Sequence, residues 1–276
     1  NLDQSLRSWL CGGEIMRAPS SRVAHMWRTG DARTRAHYRG VGSVGTNKLR
    51  VVAAWYGPFK VMYHRATGQR VPDSFDISDI QRVQKRLGCK PLVHFLHHFQ
   101  DIYVHGAVIA PRVFQLQDRS SGQCLSLRGG SLALDACDAG GPSRNGPQLF
   151  HWANRAQGAR RCCSGLRRWG TDKCLDFVDG NGRVNVYPCD ITGSNGNQQY
   201  RRGPEGRIEH GDGRCLARRP EGLPGLVPCA GLGEGGRWQE INAFEPEEAK
   251  LYREQLRQEG ITDDALQEYQ LQPGAF

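Results

Sequence analysis

In the first hundred residues apolar positions recur at intervals of three and four. Ile80, Val83 and Leu87 follow Asp76-Ile-Ser-Asp, which reads as a capped helix start, and the run stops at Gly88. Pro91 suits the first turn of another helix, with Leu92, Phe95, Leu96 and Phe99 on one face. The character changes over 104–112, Val-His-Gly-Ala-Val-Ile-Ala-Pro-Arg. Beyond Arg112, short apolar runs are broken by Gly, Asn, Asp and Ser, the mark of short strands and tight turns. Near Glu245-Pro246-Glu247-Glu248 a helix begins again and reaches Gly260, with acidic residues at its positive end. The pattern predicts a helix-bearing part over 1–103, a linker over 104–112, an all-β part over 113–243 and a helical tail over 244–276.

Composition sharpens this picture. Glycine supplies 35 of the 276 residues, close to twice ordinary usage, which agrees with a turn-rich second part. Charged residues make up 24 %, so general disorder is excluded. No stretch approaches ~18 consecutive apolar residues, the length of a membrane span. Ten cysteines point to an oxidising compartment. Asn1 opens a run with no basic n-region, hence no signal peptide. The expectation is therefore a C-terminal part of a longer secretory polypeptide. A net charge of +9 favours anionic partners. Nucleic acid is set aside because it conflicts with the cysteines.

Those cysteines carry the strongest signal. Cys124 and Cys137, Cys174 and Cys189, and Cys215 and Cys229 form three pairs with similar spacing, and a leucine follows each first member (Leu125, Leu175, Leu216). An aromatic follows each second member: Phe150, Tyr200 and Trp238. In the first two units Gln148 and Gln198 make the pattern Gln-x-aromatic. Three such units predict a closed repeat, since one unit cannot bury its own apolar face. Each disulfide closing a loop of this length contributes about 3 kcal/mol. The pattern resembles the ricin-B-type β-trefoil lectins over residues 112–243.

A sugar site needs a carboxylate for adjacent hydroxyls, an aromatic face and an amide. Only the middle repeat offers all three: Asp176, Tyr187 and Asn197. The first repeat has Ser126 and Asp135 at the matching positions, and the third has Ala217 and Val227, so both are expected to be structural. The bland alternative, Asp176 capping a turn, is the weaker reading because the whole trio matches the lectin pattern.

A second resemblance covers residues 1–100. Ser5 to Ile15, Pro19 to Arg28, Asn47 to Trp55 and Lys85 to Pro91 look like the second half of the catalytic domain of polypeptide N-acetylgalactosaminyltransferases. In that family a glycosyltransferase-A domain precedes a ricin-type lectin. The resemblance thus implies the C-terminal part of an α/β glycosyltransferase-A domain, then an all-β trefoil and a short helical tail. It also implies transfer of GalNAc from UDP-GalNAc to Ser or Thr of a peptide or GalNAc-glycopeptide, with retention and with Mn²⁺. The setting would be the Golgi lumen, with a single-pass type II anchor outside this chain as the only membrane contact. The nucleotide-binding half and its Asp-x-His motif are not in the sequence.

Roles carry over residue by residue. His25 matches the histidine that joins Asp-x-His on Mn²⁺; alone, a histidine beside Val23 and Met26 is more often a core residue. Arg28 matches the arginine on the UDP diphosphate, Trp27 the aromatic of a lid over the site, and Asn1 a residue beside the donor sugar. Cys11 and Cys89 match a catalytic-domain disulfide. Cys162 and Cys163 lie outside the family's usual set. Ser20 stands for a family cysteine, Ala53 for a glutamate, and the family's His-x-Tyr after the arginine is not at its spacing, where the chain reads Thr29-Gly30-Asp31-Ala32-Arg33. His94, His97 and His98 have a spacing that binds zinc, but a solvated helix face is the better reading. Arg33, Arg35 and Arg39 read as a solvated basic loop. The rival function is a non-catalytic GalNAc-binding lectin derived from such an enzyme, and an Asp-x-His upstream in the full polypeptide would discriminate against it.

Overall fold

The computed structural model describes residues 2–22, 44–104, 106–138, 146–153, 165–178, 180–190 and 194–261. Their contacts divide them into two compact units, one ending at Phe95 and the other beginning at Leu96.

The described part of the first unit is built from helices α1 (Leu2–Leu10), α2 (Val44–Trp55), α3 (Lys60–Thr67) and α4 (Ser78–Leu87). α1 buries Leu6 and Leu10, one turn apart on one face, and α2 buries Val51, Val52 and Trp55. Trp55 Nε1 donates to Asp3 Oδ1 at 2.7 Å, and Gln84 Nε2 donates to the Ala54 carbonyl at 2.9 Å. Cys11–Cys89 and the Lys90 N–H on the Leu10 carbonyl (2.7 Å) fasten the end of α1 to the segment after α4. The expected start of α4 is present: Asp76 Oδ1 accepts from the Ser78 N–H at 2.9 Å, and Gly88 closes the helix in the left-handed region. Helix α5 (Leu92–His98) follows Pro91 and buries Leu92, Val93 and Leu96. Val93 is fully buried, whereas Phe95 is half-buried and Phe99 lies beyond the end of the helix at His98. Among the described residues of this unit there is no strand, so they do not display the α/β character that the resemblance implied.

In the second unit a short helix α6 (Gln100–Tyr103) leads into twelve strands among the described residues. In chain order they are β1 (Val113–Asp118), β2 (Cys124–Arg128), β3 (Ser131–Asp135), β4 (Phe150–Ala153), β5 (Gly165–Arg168), β6 (Lys173–Phe177), β7 (Val184–Pro188), β8 (Tyr200–Arg202), β9 (Ile208–His210), β10 (Arg214–Arg218), β11 (Pro224–Pro228) and β12 (Trp238–Phe244). β1 pairs with β2, β4 and β12, which gives a sheet-rich, barrel-like fold. Phe114, Leu125, Phe150, Leu166, Leu175, Tyr200, Leu216 and Trp238 fill one core.

The three hairpins β2–β3, β6–β7 and β10–β11 share one register. Cys124 faces Asp135, Cys174 faces Tyr187 and Cys215 faces Val227. Two residues on, Ser126 faces Ala133, Asp176 faces Asn185 and Ala217 faces Gly225. Disulfides Cys124–Cys137, Cys174–Cys189 and Cys215–Cys229 close the repeats. The repeat expected from cysteine spacing is therefore a repeat of strand register.

The tail forms α7 (Glu247–Gln258), which buries Ala249, Tyr252 and Leu256. Glu248 is also buried, and its Oε1 accepts from Trp169 Nε1 at 2.9 Å. This bond and the edge-on contact of Trp169 with Phe244 place the start of the tail on the β unit. No described helix is long and apolar enough to cross a membrane.

Candidate functional site

The middle hairpin places Asp176 and Tyr187 together. Asp176 lies opposite Asn185 on the paired strand, and Tyr187 is two residues along from Asn185. Alternation puts all three side chains on one face, with Tyr187 diagonal to the carboxylate. Leu175 and Val186 turn the other way, into the core or against it. The Tyr187 ring is 64 % exposed and stands as an open platform.

The carboxylate is braced from one side. Asp176 Oδ2 accepts from Asn195 Nδ2 at 3.0 Å and from Gln198 Nε2 at 2.8 Å. Among the described residues Oδ1 has no partner and is available to a ligand. Gln198 is 3 % exposed and fully engaged: Nε2 also donates to the Pro188 carbonyl at 3.0 Å, and Oε1 accepts from the Asp190 N–H at 2.8 Å. Asp190 in turn orders the loop that presents Asn195, since its Oδ2 accepts from the Ser194 N–H at 2.6 Å and the Asn195 N–H at 2.7 Å. Two amides thus fix the carboxylate before any ligand arrives, which reduces the ordering cost of binding.

The structure brings Asp176 and Tyr187 together and gives Asn197 a different part. Its backbone N–H donates to Asn195 Oδ1 at 3.0 Å, while its side chain is exposed. Asn195 is the asparagine whose amide touches the carboxylate. Neither Asn195 nor Gln198 was a site candidate from sequence. Gln198 could have been found, because a Gln-x-aromatic in the one repeat that also has Asp two residues after its first cysteine brings amide and acid together. The Asn195 contact depends on a loop path that spacing does not encode.

The other repeats lack this arrangement for visible reasons. In the first, Gln148 makes the same backbone anchors, to Asp138 and Ala136 at 2.8 Å, but Ser126 offers no carboxylate. Asp135, in the place of Tyr187, is held by Arg128, with Nε 2.9 Å from Oδ2. In the third, Gly236 stands where the glutamine would be, beside Ala217 and Val227.

Asn1, His25, Trp27 and Arg28 lie outside the described residues, as do Cys162, Cys163, Arg33, Arg35 and Arg39. Among the described residues no three His, Cys, Asp or Glu side chains gather as a metal would require. They do not by themselves fit Mn²⁺, and no step through the metal follows from them.

No family model matches the sequence. Among curated proteins, the chain is 25 % identical over 194 residues to polypeptide N-acetylgalactosaminyltransferase 5 of Rattus norvegicus, covering 69 % of this chain and 19 % of that protein. It is 24 % identical over 246 residues to polypeptide N-acetylgalactosaminyltransferase 6 of Homo sapiens, covering 83 % and 37 %. Among solved structures, GalNAc-T7 with UDP, GalNAc and Mn²⁺ aligns at a TM-score of 0.42 and 21 % identity, over 88 % of this chain and 44 % of that one. The chain spans 19 % and 37 % of the length of these two curated relatives. In sequence, it is similar to the polypeptide N-acetylgalactosaminyltransferases.

Proposed function

We propose that this chain belongs to a retaining polypeptide N-acetylgalactosaminyltransferase and that its β unit is the lectin that binds GalNAc already present on the acceptor. One observation carries the reading: a carboxylate braced through one oxygen, open at the other, beside an exposed tyrosine ring. Asp176 Oδ1 would accept from adjacent hydroxyls of the sugar, and the ring face would cover its apolar side. Asn195 and Gln198 hold the carboxylate, while Asn197 stands at the rim.

Transfer of GalNAc from UDP-GalNAc to Ser or Thr of a peptide or glycopeptide rests on the first 103 residues, read as the C-terminal part of the catalytic domain. His25, Arg28, Trp27 and Asn1 carry it by resemblance, and Mn²⁺ enters that reading through His25. In this reading residues 113–243 are the lectin and 244–276 a tail that carries helix α7. A lectin tethered to a catalytic domain raises the local concentration of an acceptor it holds, and so directs further transfer. The Golgi lumen suits the disulfides and the reaction.

The test is calorimetric titration of the full-length protein with free GalNAc, together with transfer from UDP-GalNAc to naked and GalNAc-bearing peptides. Asp176→Asn is expected to abolish GalNAc binding and leave transfer to naked peptide intact. Undiminished binding by that variant would overturn the lectin site. Binding without transfer to either acceptor would show a non-catalytic lectin instead.

A further inference from the structure

The third repeat keeps the register of the sugar-binding hairpin but has lost each of its polar parts. Ala217, Val227 and Gly236 occupy the places of Asp176, Tyr187 and Gln198. An open cleft of about 540 Å³ lies against this hairpin, with Pro220, Val227, Pro228 and Leu232 in its wall. That volume is in the range of small-ligand sites.

Two neighbouring side chains close over the bare backbone of this repeat. A Cβ placed on Gly236 would sit 2.8 Å from Leu232 Cδ1, so the leucine packs directly over the residue that replaced the glutamine. A Cβ on Gly225 would sit 2.4 Å from Arg219 Cδ, so the arginine stem lies flat over that strand. The Arg219 guanidinium is paired with Glu221 at 2.7 Å. Arg218, also in the wall, is exposed and has no ion-pair partner among the described residues. Ser120, the hydroxyl of the cleft, already donates to Asp118 Oδ2 at 2.7 Å.

The cleft therefore presents an aliphatic wall and one unpaired guanidinium. It has no aromatic face and no uncommitted side-chain amide or carboxylate, so it lacks the chemistry for a ring of hydroxyls. An aliphatic side chain beside a carboxylate satisfies both features, the carboxylate answering the Arg218 guanidinium. We propose that this cleft binds an extended peptide segment in which an aliphatic residue is followed by Asp or Glu. The aliphatic side chain packs on Leu232 and Val227, and the carboxylate pairs with Arg218. This inference does not depend on the sugar site, which uses a different repeat.

The experiment is fluorescence anisotropy of the full chain with fluorescein-labelled Gly-Gly-Leu-Glu-Gly-Gly. Replacing its Glu by Gln, or introducing Arg218→Glu in the protein, is expected to weaken binding about tenfold or more, the loss of one charge-assisted contact. Arg218→Lys should keep most of the affinity, and Leu232→Ser should lower it. Asp176→Asn and excess free GalNAc should leave it unchanged, so failure of the lectin reading would not imitate failure here. Equal affinity for the Glu and Gln peptides, unaltered binding by Arg218→Glu, or no saturable binding up to millimolar protein would each overturn the proposal. So would displacement by a sulfated glycan but not by unlabelled peptide, which would make the cleft a sugar-acid site.

Discussion

His151 lies inside the β unit, 2 % exposed and opposite Arg167 across the β4–β5 ladder. Burial, and then the neighbouring guanidinium, push its pKa down from the ordinary imidazole value to about 3. The folded protein therefore holds His151 neutral, while the unfolded chain takes up its proton near pH 6.5. Between pH 6.5 and about 3 the unfolded state binds more protons, so stability falls as pH falls, by up to about 1.4 kcal/mol per pH unit for one site. Urea unfolding at pH 7 and pH 4.5 should show this loss, and His151→Gln should remove much of it; an unchanged slope in the variant would refute the assignment. Asp212 acts in the same direction at lower pH. Partial burial opposes its ionisation, but bonds from Arg214 and His210 outweigh that and hold the carboxyl well below its usual range.

At the scale of the element, the hairpins were legible because cysteine spacing and hairpin register are one constraint. In each repeat the first cysteine faces the residue two before its disulfide partner, so bond and register recur together. What spacing could not convey is how strands from different repeats touch. Gly182 shows this: its φ is +81°, its carbonyl accepts from the Leu226 N–H at 2.7 Å, and an added Cβ would sit 2.3 Å from the Leu226 carbonyl oxygen. Gly182→Ala would meet a left-handed backbone and a hard contact between two repeats, and should cost roughly 2–4 kcal/mol in urea unfolding. Gly180→Ala, two residues away, meets nothing within 4 Å and has no such backbone demand. It should stay within about 0.5 kcal/mol of the parent. Equal costs at the two positions would show that the contact is not rigid. The same limit explains Asn195: the resemblance to the lectin pattern picked out Asp176 and Tyr187 by their distance from the cysteines, but the loop path that brings Asn195 to the carboxylate has no such marker.

For the whole molecule, the disulfides divide by the length of chain they close. Cys11–Cys89 spans 78 residues, whereas the repeats close 13 to 15. Loop-closure entropy gives about 4.5 kcal/mol for the long loop against about 3 for a short one. Cys11→Ser with Cys89→Ser should therefore cost more than Cys174→Ser with Cys189→Ser, read as loss of helical signal from the first unit while the β signal persists. Simultaneous loss of both signals would show that the two units unfold as one. The common register of the three hairpins has a last consequence, in valency. With one armed repeat the β unit would grip a single sugar and let go quickly, and it could not cross-link glycans. Arming the third repeat would call for Ala217→Asp, Val227→Tyr and Gly236→Gln, with Leu232, which packs over Gly236, trimmed to make room, and for a loop amide in the part that Asn195 plays. On the proposed lectin reading, a monovalent site would then become a bivalent one, and the dwell time on a densely glycosylated chain would lengthen accordingly.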